Sequence, residues 1–194
     1  MQPLAAQPGV VLTIASRLQR LSATRLISFH DLSVDGAAFG KVKMITTFVR
    51  HDPTGRNAQI QKVQPRGVLT VPMMDPGADA GLVDEATRLA RQTTACDPGL
   101  ESDVTPCPTT DFNAAGLLYC ASYPALADRA EWSLSRASAK GFLSRRQLVF
   151  LGSVDAAEPV TARLWHDTVQ VGQHHITLSS RDRLIAQINT QKLA

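Results

Sequence analysis

The residues of this chain that could do chemistry are concentrated in one short segment, 111–119, which contains Asp111, Asn113 and Gly116. The segment leads into an apolar stretch whose composition predicts a helix over residues 115–133. The first turn of a helix has free backbone N–H groups and the positive end of the helix dipole, which stabilise negative charge developing on a carbonyl oxygen. A glycine there lets a substrate approach the backbone closely. The segment therefore predicts a site that polarises a carbonyl group.

The same residues also have a purely structural interpretation. Asn113 is a credible N-cap for the helix, Asp111 compensates the helix dipole, and Gly116 permits tight packing. In either case the neutral amide of Asn113 donates hydrogen bonds but cannot act as a general base. Tyr119 and Tyr123 follow on the predicted helix, and core packing is the more common role of such tyrosines. The residue types alone leave both interpretations open.

The elements that must position this segment are one long helix and a run of strands. After the helix the chain shows strand-like alternation with tight connections, at residues 145–154, 160–167, 168–180 and 183–190. A loop, a long apolar helix and a four-stranded antiparallel meander follow one another in a hotdog domain, where the sheet wraps around the helix. Pro124 lies inside the predicted helix and is expected to kink it or weaken one hydrogen bond. We therefore predict an α+β hotdog fold.

The upstream half of the chain reads as a second meander without a helix. Strand patterns cover residues 10–65, broken by turn residues such as Asp35-Gly36. Proline and glycine concentrate after residue 65, which is typical of a linker. We expect a partial hotdog over 1–66, a linker over 67–103 with a helix near 78–91, and a complete hotdog over 104–194.

The segment DFNAAGLLY, Asp111 to Tyr119, resembles the motif of hotdog thioesterases of the 4-hydroxybenzoyl-coenzyme A type. That motif runs Asp, any residue, Asp, two small residues, Gly, two apolar residues and Tyr. The resemblance implies that the Gly116 N–H binds the oxyanion and that Asn113 occupies the position of the catalytic carboxylate. Asn113 departs from the pattern, so Asp111 is the nearest acid. Tyr119 closes the motif, and we assign it to substrate binding.

A longer resemblance joins DFNAAGLLYCASYPALAD to the upstream segment GKVKMITTFVRHDPTGRNAQIQKVQP. Together they are similar to the double-hotdog family of the leinamycin-type bifunctional acyltransferase/decarboxylase and to related proteins of polyketide-type biosynthesis. The resemblance implies chemistry on a malonyl or methylmalonyl group carried by coenzyme A or by an acyl carrier protein. It also implies that the first hotdog lacks its N-terminal part, because no helix precedes the strands of residues 10–65. The family's nucleophile has been attributed to a tyrosine in that part, so none is assigned to this chain.

Composition narrows the class of partner. Aromatic residues make up 5% of the chain, which argues against a stacking platform for single-stranded nucleic acid. No apolar run approaches the ~20 residues that span a bilayer. The net charge of +3 is mild and spread along the chain. Arg145-Arg146 is a tight basic doublet that predicts either a contact to the phosphates of coenzyme A or an exposed strand end.

The cysteines and histidines indicate the compartment and argue against a metal site. Cys96, Cys107 and Cys120 have no paired spacing, which is typical of free thiols in a reducing compartment. The N-terminus has no basic residues before its short apolar stretch, so it is a poor signal peptide. We expect a cytoplasmic protein. His174 and His175 would face opposite sides of a strand, so no metal is expected there.

These observations leave three kinds of function open. The first is an enzyme of acyl thioesters in polyketide-type metabolism, an acyltransferase/decarboxylase. The second is thioester hydrolysis, and the third is a non-catalytic acyl-carrier-binding or structural subunit. No cofactor is expected beyond the coenzyme A or phosphopantetheine of the substrate. The apolar face of the upstream strands predicts a homo-oligomer or a partner chain that completes the first hotdog.

Overall fold

A computed structural model describes residues 9–67, 70–75, 80–92, 99–136, 140–166 and 172–193. The chain divides into two compact units. The first comprises the described residues up to Thr54 and from Ile60 to Leu82, and the second comprises Gly55–Gln59 and the described residues from Val83 onward.

The first unit is built on a three-stranded antiparallel sheet in the order β1-β2-β3. Its strands are β1 (Leu12–Ser22), β2 (Arg25–Val34) and β3 (Ala37–Thr47), and a short pair follows, β4 (Val49–Arg50) with β5 (Gln61–Lys62). Asp35 and Gly36 connect β2 to β3 with positive φ angles of 49° and 79°. This is the backbone that a two-residue hairpin turn requires, and Asp-Gly is well suited to it. The predicted meander is present.

The two faces of this sheet differ in burial. Ile27 and Phe29 on one face are buried, with 0% and 5% exposure. The opposite face carries a set of apolar side chains that are each 40–54% exposed: Leu12, Ile14, Leu18, Val42 and Met44. The alternation predicted from the sequence therefore exists, and it leaves an apolar surface open to solvent.

The second unit contains a five-stranded antiparallel sheet in the order β6-β8-β9-β10-β7. The strands are β6 (Leu100–Val104), β7 (Phe142–Phe150), β8 (Val160–His166), β9 (Gln173–Ser180) and β10 (Arg183–Leu193). Its helices are α2 (Ser122–Leu134) and the part of α1 (Ala80–Ala90) that begins at Val83. Four of these strands were predicted, but the predicted four-stranded meander is wrong, because β7 pairs with β10 and not with β8. β6 was not predicted, and it lies on the edge of the sheet, ahead of the predicted boundary at residue 104.

Helix α2 packs against one face of this sheet and forms the core. Its buried residues include Leu126, Ala127 and Ala130, which share one apolar cluster with side chains from the strands: Val160, Ala162, Leu164, Ile176, Leu178, Ile185, Ala186 and Ile188. A helix held against an antiparallel sheet is the predicted hotdog arrangement. In the part of the chain that the structure describes, neither helix is long and apolar enough to cross a membrane.

The start of α2 is the main correction to the predicted fold. The helix begins at Ser122, not at residue 115, and its N-cap residue Ala121 makes no side-chain capping bond. Asn113 is therefore not an N-cap. Gly116 has a φ of +71°, a left-handed conformation that no helix continues through. Pro124 is in the first turn of α2, where its missing N–H has no intrahelical partner to lose, so it does not kink the helix.

The other end of α2 is fixed by a buried ionic cluster. Glu131 is 1% exposed, and its Oε1 lies 2.7 Å from Lys192 Nζ on β10, while its Oε2 lies 3.4 Å from His174 Nε2 on β9. Burial works to raise the pKa of Glu131, but the hydrogen bonds and charges of His174 and Lys192 outweigh it and hold the pKa below its ordinary value. The cluster ties the helix to two strands.

Candidate functional site

The segment Asp111–Tyr119 forms a loop closed on itself ahead of α2. At its base the Tyr119 N–H donates to the Asp111 carbonyl at 2.8 Å, and above it the Asn113 N–H donates to the Leu117 carbonyl at 2.9 Å. The tip is a tight turn in which the Gly116 N–H donates to the Asn113 carbonyl at 2.9 Å. Asparagine at the first position and glycine at the fourth are the residues that such a turn favours. The chemistry-bearing residues are thus on a structured loop.

The side chain of Asn113 is locked by the loop's own backbone. Its Oδ1 accepts hydrogen bonds from the Ala115 N–H at 2.9 Å and the Leu117 N–H at 3.1 Å. Two N–H donors require the oxygen, not the nitrogen, at that position, so the orientation of the amide is fixed. Asn113 Nδ2 then faces outward on an exposed residue, and it has no hydrogen-bond partner among the described residues. The loop presents a pre-oriented pair of N–H donors to solvent.

Gly116 does not play the predicted role. The Gly116 N–H donates to the Asn113 carbonyl within the turn, and α2 begins only at Ser122. The Gly116 N–H is therefore not an oxyanion donor at the start of a helix. The sequence suggested a helix start because Leu117 and Leu118 continue an apolar stretch. What Gly116 does provide is space, because no atom lies within 4 Å of where a Cβ would stand. A ligand can therefore approach the loop backbone at this point.

Asp111 is an anchor within the loop and not a free base. It is 6% exposed, and its Oδ2 accepts from the Cys107 N–H at 2.7 Å and from Arg129 Nη2 at 3.1 Å. Burial works to raise the pKa of Asp111, but the hydrogen bonds from Cys107 and Arg129 outweigh it, so the pKa lies below 3.8. A carboxylate so held stays ionised at neutral pH and connects the loop to α2 through Arg129.

The two tyrosines have different surroundings. Tyr119 ends the loop, outside α2, and is 50% exposed, so its ring is available to a ligand. Tyr123 is 4% exposed, and its hydroxyl donates to the Gly152 carbonyl at 2.6 Å. Burial raises the pKa of Tyr123. Tyr123 is therefore a packing residue, whereas Tyr119 remains a candidate for substrate binding.

The basic doublet is split by the pleat of β7. Arg145 Nη2 lies 3.5 Å from Glu85 Oε1 of α1, and Arg146 Nη2 lies 2.5 Å from Asp128 Oδ1 of α2. Adjacent residues on a strand face opposite sides of the sheet, and each arginine pairs with the helix on its own side. The two side chains therefore cannot hold one phosphate together, and a contact of either arginine to a phosphate of coenzyme A stays a prediction.

Sequence reasoning did not single out Cys107 as part of this region. Its backbone N–H donates to Asp111, and its thiol is exposed. Hydrogen bonds from the side chain of Thr109 and then of Thr110 lower the pKa of Cys107 to about 7. The available signal was the sequence Cys-Pro-Thr-Thr, which puts two hydroxyls and two N–H groups within one turn of the sulfur.

The chain is similar in structure to two acyl-carrier-protein thioesterases. One is the 12:0-ACP thioesterase of Umbellularia californica, with a TM-score of 0.67 and 9% identity over 94% of this chain and 68% of that one. The other is an acyl-ACP thioesterase of Bacteroides thetaiotaomicron, with a TM-score of 0.56 and 9% identity over 93% and 68%. No family model and no curated protein matches the chain. At such identities the likeness shows the fold alone, an α+β hotdog fold.

Proposed function

We propose, from this hotdog fold, that the chain handles an acyl thioester and binds it at the loop Asp111–Tyr119. The observation that carries the proposal is the fixed amide of Asn113, whose Oδ1 is held by two backbone N–H groups while Nδ2 faces outward. The two N–H groups of Asn113 Nδ2 suit the carbonyl oxygen of a thioester. The open space beside Gly116 admits the acyl group, and the exposed ring of Tyr119 flanks the same loop.

The reaction that this donor set supports best is decarboxylation of a malonyl or methylmalonyl thioester. The bond from the α-carbon to the carboxylate breaks, CO₂ leaves, and its electron pair becomes an enolate whose oxygen accepts the hydrogen bonds of Asn113. A proton from water then completes the α-carbon. The step needs an electrophilic donor and no protein base, and one such donor contributes roughly 10²–10³ in turnover. This agrees with the resemblance to acyltransferase/decarboxylases and with the neutral residue at position 113.

Thioester hydrolysis is the second candidate, because the two solved structures described above are named as acyl-carrier-protein thioesterases. Hydrolysis needs an activated water as well as the oxyanion donor. Asp111 is ion-paired with Arg129 and hydrogen-bonded to Cys107, so it is a poor base. For this reason we rank hydrolysis second. Binding without turnover is the remaining outcome.

The experiment is mass spectrometry of acetyl, malonyl and methylmalonyl thioesters incubated with the protein, each on coenzyme A and on an acyl carrier protein. The proposal predicts loss of CO₂ from the malonyl-type thioesters while the acetyl thioester remains intact. Release of free thiol from all three would favour hydrolysis. A thioester that binds and stays unchanged indicates a carrier-binding module. The proposal is refuted if the protein neither binds nor turns over any thioester.

We also propose that the exposed apolar face of the β1-β2-β3 sheet is covered in solution by a second copy or by a partner chain. Its side chains are 40–54% exposed, and contiguous apolar patches of this kind are found at interaction sites. The acyl group, its carrier and the polyketide-type context follow from the resemblance and are part of the same proposal.

A further inference from the structure

We propose that Asn57 is a positioning residue for the amide of Asn113. This inference rests on the proposed function, because its consequence for turnover passes through Asn113. Asn57 lies far ahead of α2 in the sequence, in the 3-10 turn Asn57–Gln59, and it belongs to the same compact unit as the loop. It lies within the upstream segment GKVKMITTFVRHDPTGRNAQIQKVQP, but the sequence assigned it no role.

Asn57 joins two loops through both hydrogens of one buried amide. Asn57 is 3% exposed, and its Nδ2 donates to the Gly116 carbonyl at 2.7 Å and to the Val154 carbonyl at 2.6 Å. Its own N–H donates to Asp155 Oδ1 at 2.9 Å. A buried amide that donates to two carbonyls is costly to remove, because the carbonyl of the fully buried Val154 loses its donor without gaining water.

The connection from Asn57 to Asn113 runs through one peptide plane. The Gly116 carbonyl and the Leu117 N–H belong to the same planar peptide unit, so fixing the carbonyl fixes the direction of the N–H. That N–H is one of the two donors that hold Asn113 Oδ1. If the plane rotates, the amide of Asn113 loses half of its restraint, and Nδ2 no longer has a defined direction.

A second attachment of the loop does not involve Asn57 and provides an internal reference. The Leu118 N–H donates to Ser153 Oγ at 3.1 Å, and Arg183 Nη2 donates to the Ser153 carbonyl at 2.5 Å. This attachment fixes the arm of the loop next to the core. The tip around Gly116 depends on Asn57, because glycine in a left-handed conformation has little steric restraint of its own.

The test compares Asn57→Ala with Gln187→Ala. Gln187 is also a buried amide, 2% exposed, whose Nε2 donates to the Ala90 carbonyl, away from the loop. Both variants should lower the melting temperature. We expect kcat for the thioester to fall by about 10- to 100-fold in Asn57→Ala only, since misplacement of a reacting group by ~1 Å has effects of this size. Equal losses of kcat in the two variants would overturn the inference.

Amide exchange measured by NMR supplies a readout that needs no substrate. In Asn57→Ala the Leu117 N–H should exchange faster than in the wild type, while the Leu118 N–H keeps its rate. If Asn57→Ala does not fold, Asn57→Ser is measured in its place, because it keeps one donor. Unchanged exchange at Leu117 overturns the positioning role. A wild type that neither binds nor turns over any thioester, but shows this change in exchange, refutes the proposed function and leaves the positioning intact.

Discussion

Replacing Asp111 tests whether its carboxylate anchors the loop or takes part in catalysis. Asp111→Ala removes the acceptor of the Cys107 N–H and the partner of Arg129. A hydrogen bond to a charged group contributes about 1.5–3 kcal/mol. The ion pair adds only about 0–1 kcal/mol, because the Arg129 side chain is 47% exposed and solvent screens it. We therefore expect Asp111→Ala to lower the free energy of unfolding by about 2–4 kcal/mol, or roughly 4–16 °C in Tm for a chain of this size.

The pH dependence follows from the direction of the pKa shift. The pKa of Asp111 in the folded protein lies below its ordinary value of 3.8, so its contribution to stability is complete above that pH and is lost as the pH falls through the lowered pKa. The difference in stability between the wild type and Asp111→Ala should therefore shrink in strong acid. Urea unfolding followed by circular dichroism between pH 7 and pH 2 measures it.

Asp111→Asn and Asp128→Asn complete the test. Asp128 is a carboxylate of α2 that is half-exposed and paired with Arg146, so Asp128→Asn should cost less than about 1 kcal/mol. Asp111→Asn keeps an acceptor for Cys107 and should retain thioester turnover per folded molecule. If Asp111→Asn abolishes turnover while Tm stays at the wild-type value, Asp111 acts in the chemistry and the anchoring role is refuted.

Three further predictions concern other parts of the molecule. Glu131→Gln should lower the free energy of unfolding by about 3–5 kcal/mol at pH 7, because Lys192 and His174 lose the buried negative charge of their partner. The pKa of Glu131 is lowered in the folded protein, so the difference in stability between the wild type and Glu131→Gln should shrink as the pH falls below the ordinary pKa of a glutamate. Urea unfolding at a series of pH values measures this difference. Cys107 should react with iodoacetamide with a midpoint near pH 7 in peptide mass spectrometry, because hydrogen bonds from Thr109 and Thr110 lower its pKa; a midpoint above pH 8 contradicts this role of the two threonines. Light scattering of the purified chain should show association that Ile14→Lys weakens; a monodisperse wild-type monomer at all concentrations rules this out.

The sequence was most informative where a pattern is local. Period-2 alternation and the turn residues Asp35-Gly36 predicted the β1-β2-β3 meander, and the three strands all lie within the predicted residues 10–65. The apolar face of α2 was also evident. The start of α2 could not be predicted in the same way, because Leu117 and Leu118 fit a helical pattern although the backbone at Gly116 is left-handed. Helical composition could not distinguish a closed loop from a first turn.

The parts that could not be predicted depend on contacts between distant segments. Asn57 donates to the Gly116 carbonyl across 59 positions, and although Asn57 lies in a segment that carries the family resemblance, the sequence does not show which residue it contacts. β6 was missed because its polar residues pair with β8 on the edge of the sheet. The split of Arg145 and Arg146 follows from strand alternation and could have been predicted once β7 was assigned.

The most direct test of the account compares Asn113→Asp with the wild type. The carboxylate keeps an oxygen for the N–H groups of Ala115 and Leu117, so the loop and the Tm should change little. It removes both Nδ2 donors and places a negative charge where the enolate oxygen forms. We predict that decarboxylation of malonyl-coenzyme A falls by roughly 10²–10³-fold while stability stays within about 1 kcal/mol of the wild type. Unchanged turnover, or a gain of thioester hydrolysis, would contradict the claim that the Asn113 amide stabilises the reacting oxygen.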